Sequence, residues 1–177
     1  MSTERKAYVA LVAIAFLAVV QNCWYWSQLP PKVATHFNLE GEADSWMPKG
    51  PATIMMIALQ LGLPLFLVGI TALTSRLPTS LINLPNREYW LHPSRCQQSL
   101  AYVRAVISWL AVAVAIHVMA INHLSFLANR NQTKLNTIGV AISMIFVFVA
   151  VIGLIGNLLW HFRLPENTDI AKTSRRP

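Results

Sequence analysis

The chain has 177 residues, of which 55% are apolar and only 12% charged, with a formal net charge of +7. Soluble domains carry about 25% charged residues, so this composition excludes an ordinary soluble globular domain. The excess of positive charge does not point to nucleic acid either, because it is distributed by side of long apolar runs rather than gathered into one basic patch.

Arg5 and Lys6 precede the first apolar run. From Ala7 to Trp26 there is no Asp, Glu, Lys, Arg or His. At about 1.5 Å per helical residue, some 20 residues cross a hydrocarbon core of about 30 Å. The start resembles a signal peptide, but the run is long for that role and no small-x-small cleavage site follows it. Cys23 is preceded by Gln21-Asn22 rather than by the small residues of a lipoprotein signal, and Trp24, Tyr25 and Trp26 suit an aromatic belt at a membrane interface. The expectation is an uncleaved span near residues 7–26.

A polar segment, residues 27–51, comes next. It holds three of the seven carboxylates, the first His and two of the seven glycines. Pro30-Pro31 forces an extended start. Lys32 to Phe37 reads as a short strand-like segment, and Asn38-Leu39-Glu40-Gly41 as a tight turn with Gly supplying positive φ. Pro51 is placed to start a second helix over 52–75, in which Gly62 and Pro64 predict a kink. Residues 76–97 interleave aromatic and basic side chains, as expected at headgroup level. Pro93, with Ser94 and Gln97 in capping-box spacing, is expected to open a third helix over 98–122. Arg104 either snorkels from that helix to the headgroups or pairs with Glu88. Residues 123–135 form a short loop containing the sequon Asn131-Gln132-Thr133. A fourth helix covers 136–160, with Asn157 a packing group near its end, and a polar tail covers 161–177.

The expected fold is therefore an all-α integral membrane protein: one domain, residues 1–177, built as a four-transmembrane-helix bundle with a structured loop between helices 1 and 2. Ten of the fourteen basic residues lie at the two termini or in and beside the 76–97 loop, whereas Lys32, Lys49, Arg130 and Lys134 are alone on the other side. The positive-inside rule then puts both termini in the cytoplasm and the 27–51 loop outside.

The polar residues within the spans share the outer half of the membrane. Gln21 and Asn22 end helix 1, Gln60 lies roughly 12 Å deep, His117 roughly 8 Å deep, and Asn122 and His123 are at the rim. Polar groups in hydrocarbon are costly unless they face the bundle. Two readings follow: an outward-facing polar vestibule roofed by the loop, or a set of separate interhelical hydrogen bonds worth about 0.6 kcal/mol each. His36 reads either as a buried hydrogen-bonding group that holds the loop, with Asp44 as partner, or as a ligand contact. A metal set drawn from His36, Glu40, Glu42, Asp44, His117 and His123 would need distant segments to meet, so no metal and no cofactor is expected. Cys23 and Cys96 fall at opposite faces and cannot bridge within one chain. No Gly-x-Ser-x-Gly, His-Glu-x-x-His or phosphate loop is present, and the chain is not expected to be an enzyme.

Leu29-Pro30, Thr35-His36-Phe37-Asn38, Gly41, Asp44, Trp46 and Lys49 together resemble the signature of domain-of-unknown-function family sixteen-forty-eight, also found in the N-terminal part of SdpI-type immunity proteins. The segment Pro85 to Leu91 is similar to one in some relatives. The resemblance implies a bacterial plasma-membrane protein, and in the immunity branch protection against a secreted peptide toxin and a repressor held at the inner face. This chain lacks the further helices of the longer immunity proteins.

Together these readings predict a non-enzymatic sensing or binding protein, immunity- or signalling-related. An extracytoplasmic peptide or small ligand would meet His36, Asn38, Gly41, Asp44, Trp46 and Lys49, residues that either bind the ligand or structure the loop. Asn86, Arg87, Tyr89 and Trp90 would face a cytoplasmic protein partner. The partners expected are the lipid bilayer, that ligand, that cytoplasmic protein and further copies of the chain, and no nucleic acid. The alternatives are a small transporter or permease subunit, with Gln60 and His117 on the pathway, and a structural subunit of a membrane complex.

Overall fold

In the computed structural model, α1 (Thr3–Trp26) opens on Ser2, whose Oγ accepts from Arg5 N at 3.3 Å, satisfying one of the free amides of the first turn. An antiparallel hairpin follows, β1 (Lys32–Phe37) and β2 (Ala43–Pro48), then α2 (Lys49–Thr74). A 3-10 turn (Thr79–Leu81) and a single-turn α3 (Arg87–Trp90) lead into α4 (Cys96–Asn131), and α5 (Thr137–His161) closes the fold. The structure describes residues 2–74 and 78–165; the expected helix end at Ser75, the loop residue Arg76 and the basic tail residues Lys172, Arg175 and Arg176 lie outside the described residues.

Four helices are long and apolar enough to cross a membrane, as expected. Their limits differ from the sequence reading by one to nine residues, α1 for instance beginning at Thr3 and not at residue 7, and three of the differences matter for the site. First, α2 begins at Lys49, not at residue 52. Pro51 thus sits inside the first turn, where its missing N–H would have had no intrahelical acceptor. Second, the capping box at Ser94 and Gln97 does not form. The helix starts at Cys96, and Ser94 Oγ instead meets His92 Nδ1 at 2.9 Å, while Arg95 N and Cys96 N donate to His92 O. Third, α4 runs to Asn131 instead of ending at residue 122. Its 36 residues span about 54 Å at ~1.5 Å each, well beyond a ~30 Å hydrocarbon core. The extra turns form because Ser125, Phe126, Ala128 and Asn129 continue the buried face of the helix against the hairpin, so tertiary packing outweighs the polar composition there.

α4 is the centre of the fold. It packs against α1, α2, α5 and β1, while α1 also meets α2. Many of its buried positions are small residues: Ala105, Ser108, Ala111, Ala113 and Ala115 are buried, as are Ala7 and Ala18 in α1. Large apolar side chains point the other way, for example Phe16, Ile54, Phe66, Phe148 and Ile152. Small residues inside and large ones outside are what helices show when close backbone approach drives packing and the outer face meets lipid.

Candidate functional site at the hairpin

The hairpin forms because its turn chemistry and its two strands agree. Asn38 and Gly41 close the turn, with Gly41 N donating to Asn38 O at 3.0 Å and Asn38 Oδ1 accepting from Glu42 N at 2.8 Å. Gly41 has φ +78, in the left-handed region that L side chains avoid. The register pairs Val33 with Met47 and Ala34 with Trp46, with irregularities on either side of His36. Strand β2 was not anticipated, because Ala43 to Pro48 shows little alternation; the run is mostly exposed and is held by pairing to β1.

Two contacts fasten this hairpin to the far end of α4 and to the α4–α5 connection that follows it, and a third joins its base to α1. The amide of Asn129 acts as a surrogate strand: its Oδ1 accepts from Ala34 N at 2.6 Å and its Nδ2 donates to Ala34 O at 3.0 Å. At the turn, Leu135 N donates to Gly41 O at 2.8 Å, and Glu42 meets Lys134 at 2.8 Å. The hydrogen bond and charge of Lys134 hold the Glu42 carboxyl below its ordinary range, and Glu42 in return raises the Lys134 ammonium. At the base, Lys49 Nζ donates to Trp26 O at 3.1 Å and Leu29 O at 3.4 Å and lies over the Trp26 ring. It thereby caps the Trp26 carbonyl at the end of α1 and holds the Leu29 carbonyl in the turn after it.

The remaining predicted loop residues are on the surface. His36 Nδ1 and Asp44 Oδ1 meet at 2.5 Å, as the sequence reading paired them, but their side chains are 69% and 46% exposed rather than buried. The Trp46 residue is 55% exposed. A groove of about 350 Å³ runs beside it, flanked by Lys32, Phe37, Gln132 and Lys134.

Below the hairpin the structure gathers some of the intramembrane polar residues and separates others. Asn22 Nδ2 donates to Gln60 Oε1 at 2.5 Å and to Ala18 O, Gln60 Nε2 donates to Gln21 Oε1 at 2.8 Å, and Asn122 Nδ2 reaches Asn22 Oδ1 at 3.4 Å. Gln21, Asn22, Gln60 and Asn122 thus tie α1, α2 and α4 together, and the open vestibule is replaced by groups that bond one another. Tyr25 joins this end, its ring stacked on Phe126 and its hydroxyl hydrogen-bonded to His123. His117 is elsewhere: its Nδ1 meets Ser143 Oγ at 2.7 Å, on the side of α4 that faces α5. Five residues of helix separate it from Asn122, about 140° around the axis. No three His, Cys, Asp or Glu side chains gather among the described residues. Cys23 and Cys96 are both free.

The residues expected to face a cytoplasmic partner are largely spent inside the fold. Asn86 Nδ2 and Trp90 Nε1 donate to Phe162 O at 2.8 and 3.0 Å, and the Phe162 side chain is fully buried. The Trp90 ring meets His161 and Phe162, and Arg95 lies over the Tyr89 ring. Arg87 is exposed. Arg104 pairs with Glu4 at 3.5 Å, neither snorkelling free nor meeting Glu88. Asn157 accepts from the Tyr102 hydroxyl.

Asn129 is the site residue that sequence reasoning missed. A signal existed: Asn122, Ser125 and Asn129 are spaced three, four and seven apart, one helical face that continues past the expected helix end.

Fold and site define a small, mostly helical chain with four candidate membrane-spanning helices and a β-hairpin clamped to the longest of them, the arrangement of a multi-pass membrane protein. Residues 13–61 match the family model of a domain of unknown function, DUF1648. The match takes in most of α1, the hairpin and the first half of α2. No curated protein and no solved structure matches the chain.

Proposed function

We propose that this chain is a non-enzymatic plasma-membrane protein, both ends cytoplasmic, whose hairpin recognises an extracytoplasmic ligand through His36, Asp44 and Trp46. A secreted peptide is the first ligand class to test, in an immunity or signalling role. The observation that carries the reading is a division of labour within the hairpin. Asn38, Gly41 and Lys49 are used by the fold, as are Ala34 and Glu42 through Asn129 and Lys134. Among the described residues His36, Asp44 and Trp46 make no hydrogen bond or ion pair with α4, and they stay exposed on a support fastened to it. A half-exposed Trp on a fixed scaffold, beside a groove with charged walls, is the kind of anchor that binding surfaces use.

Orientation is tested by labelling. With Cys23 replaced by Ser, a Trp46→Cys variant should react with a membrane-impermeant maleimide added to intact cells, while native Cys96 should react only after lysis. Labelling of Cys96 alone in intact cells would reverse the topology. Function is tested in a strain deleted for the gene. His36→Ala and Trp46→Ala should reach normal membrane levels and keep the unfolding midpoint within about 0.5 kcal/mol of the parent, the range for surface substitutions, yet fail to complement. Full complementation by both would sink the ligand-binding reading. A transport pathway through Gln60 and His117 has less support, since one is tied into the α1–α2–α4 cluster and the other bonds α5.

A further inference from the structure

A small cleft lies between the hairpin and the polar cluster, and its lining has unused hydrogen-bonding capacity. Its volume is about 20 Å³, enough for a single water molecule. Asn22, Thr53, Asn122, Ser125 and Asn129 contribute its polar lining. Thr53 Oγ1 is buried without a hydrogen-bond partner. Asn122 donates its amide nitrogen to Asn22 and lines the cleft together with Ser125, but of these lining side chains only Thr53 has a fully buried polar atom left without a partner. A buried hydroxyl stranded in this way is costly, and proteins ordinarily satisfy such groups with an ordered water that makes about three hydrogen bonds. The Thr53 hydroxyl with the neutral polar side chains of Asn122 and Ser125 beside a space of this size suits that requirement, and there is no carboxylate among the lining residues to favour a cation.

We infer that this cleft is a binding site for one ordered water, held by Thr53, Asn122 and Ser125. The water completes the polar cluster and joins it to the Asn129 amide that holds β1, so that the hairpin and the three helices below it share one hydrogen-bonded network.

Thr53→Val decides the matter by its sign, in the full chain reconstituted in lipid nanodiscs. Val keeps the shape and removes the hydroxyl. If a water is bound, the variant loses a partner of that water and its unfolding midpoint falls by roughly 2–4 °C, whereas Thr53→Ser, which keeps a hydroxyl, falls less. If the hydroxyl is truly stranded, Thr53→Val unfolds at the same temperature as the parent or higher, and the assignment is overturned. Ser108 provides the reference: it is fully buried and its hydroxyl also lacks a partner, but it is not among the residues lining this cleft, so Ser108→Ala should not lower the midpoint. Equal losses in Thr53→Ser and Thr53→Val would also overturn the assignment, since the hydroxyl would then be irrelevant. The midpoint should be the same in sodium and choline chloride at equal ionic strength; a rise specific to sodium would replace the water by a cation.

Discussion

Gly41→Ala should destabilise the folded chain by about 2–5 kcal/mol and loosen the hairpin from the helices beneath it. Two costs combine. The residue has φ +78, and an L side chain there costs about 1–2 kcal/mol. A Cβ would also stand 2.6 Å from Leu135 O and 3.2 Å from Thr137 Cγ2. The first of these is backbone in the α4–α5 connection, which cannot rotate aside, so the turn must retreat and the 2.8 Å bond from Leu135 N to Gly41 O is lost with it. Overpacking of this kind costs about 1–3 kcal/mol. Chemical denaturation of the purified protein in nanodiscs would measure the loss. A variant as stable as the parent would show that the turn is not seated on the connection.

Asn129→Ala should cost about 2–6 kcal/mol, through a different mechanism. Ala34 is 4% exposed, so when the amide is removed its N–H and C=O cannot turn to water. Each buried backbone group left without a partner costs about 1–3 kcal/mol. Asn129→Asp keeps an acceptor for Ala34 N but sets a buried carboxylate oxygen against Ala34 O and Ser125 O, and should lose at least as much as Asn129→Ala at neutral pH. Hydrogen exchange gives the local readout: protection of the Ala34 amide should collapse in Asn129→Ala while amides in the middle of α4 keep theirs. Unchanged protection at Ala34 would sink the surrogate-strand reading. Because Gly41 and Asn129 fasten the same hairpin, the double variant should lose less than the sum of the two single losses. Strict additivity would mean that the hairpin has two independent attachments.

These effects bear on function because they differ in kind from those expected at His36 and Trp46. Variants at Gly41 and Asn129 remove the support, and those at His36 and Trp46 remove the surface it presents. A loss of complementation with normal stability, confined to the second pair, is what separates recognition from scaffolding.

Much of the hairpin was readable residue by residue. Lys32 to Phe37 was expected as a strand, Asn38 to Gly41 as a turn, and His36 as the partner of Asp44, and all three pairings of sequence with structure hold. The burial of His36 was misjudged because a strand exposed on one face and a strand packed under a roof can carry the same residues; only the position of α4 distinguishes them. Asn129 was missed for a related reason. Its partner Ala34 is 95 residues away, and an alanine whose role is to expose its backbone leaves no mark in a sequence.

What the sequence determined by itself was local and energetic. Uncharged runs of about 20 residues in lipid must satisfy their own backbone hydrogen bonds, so they become helices regardless of what they pack against. Where large apolar residues have no core to enter, most end outside, and many of the buried positions fall to Ala and Ser. What only the tertiary structure decided was which polar groups meet. Gln60 joins Asn22 while His117 joins Ser143, and Glu42 reaches Lys134 rather than a neighbour in its own loop. Those pairings depend on the rotation of each helix about its axis and on the register of its contacts with the others. A shift of one residue turns a helical side chain by about 100°, and that angle is set by the packing of all the helices together.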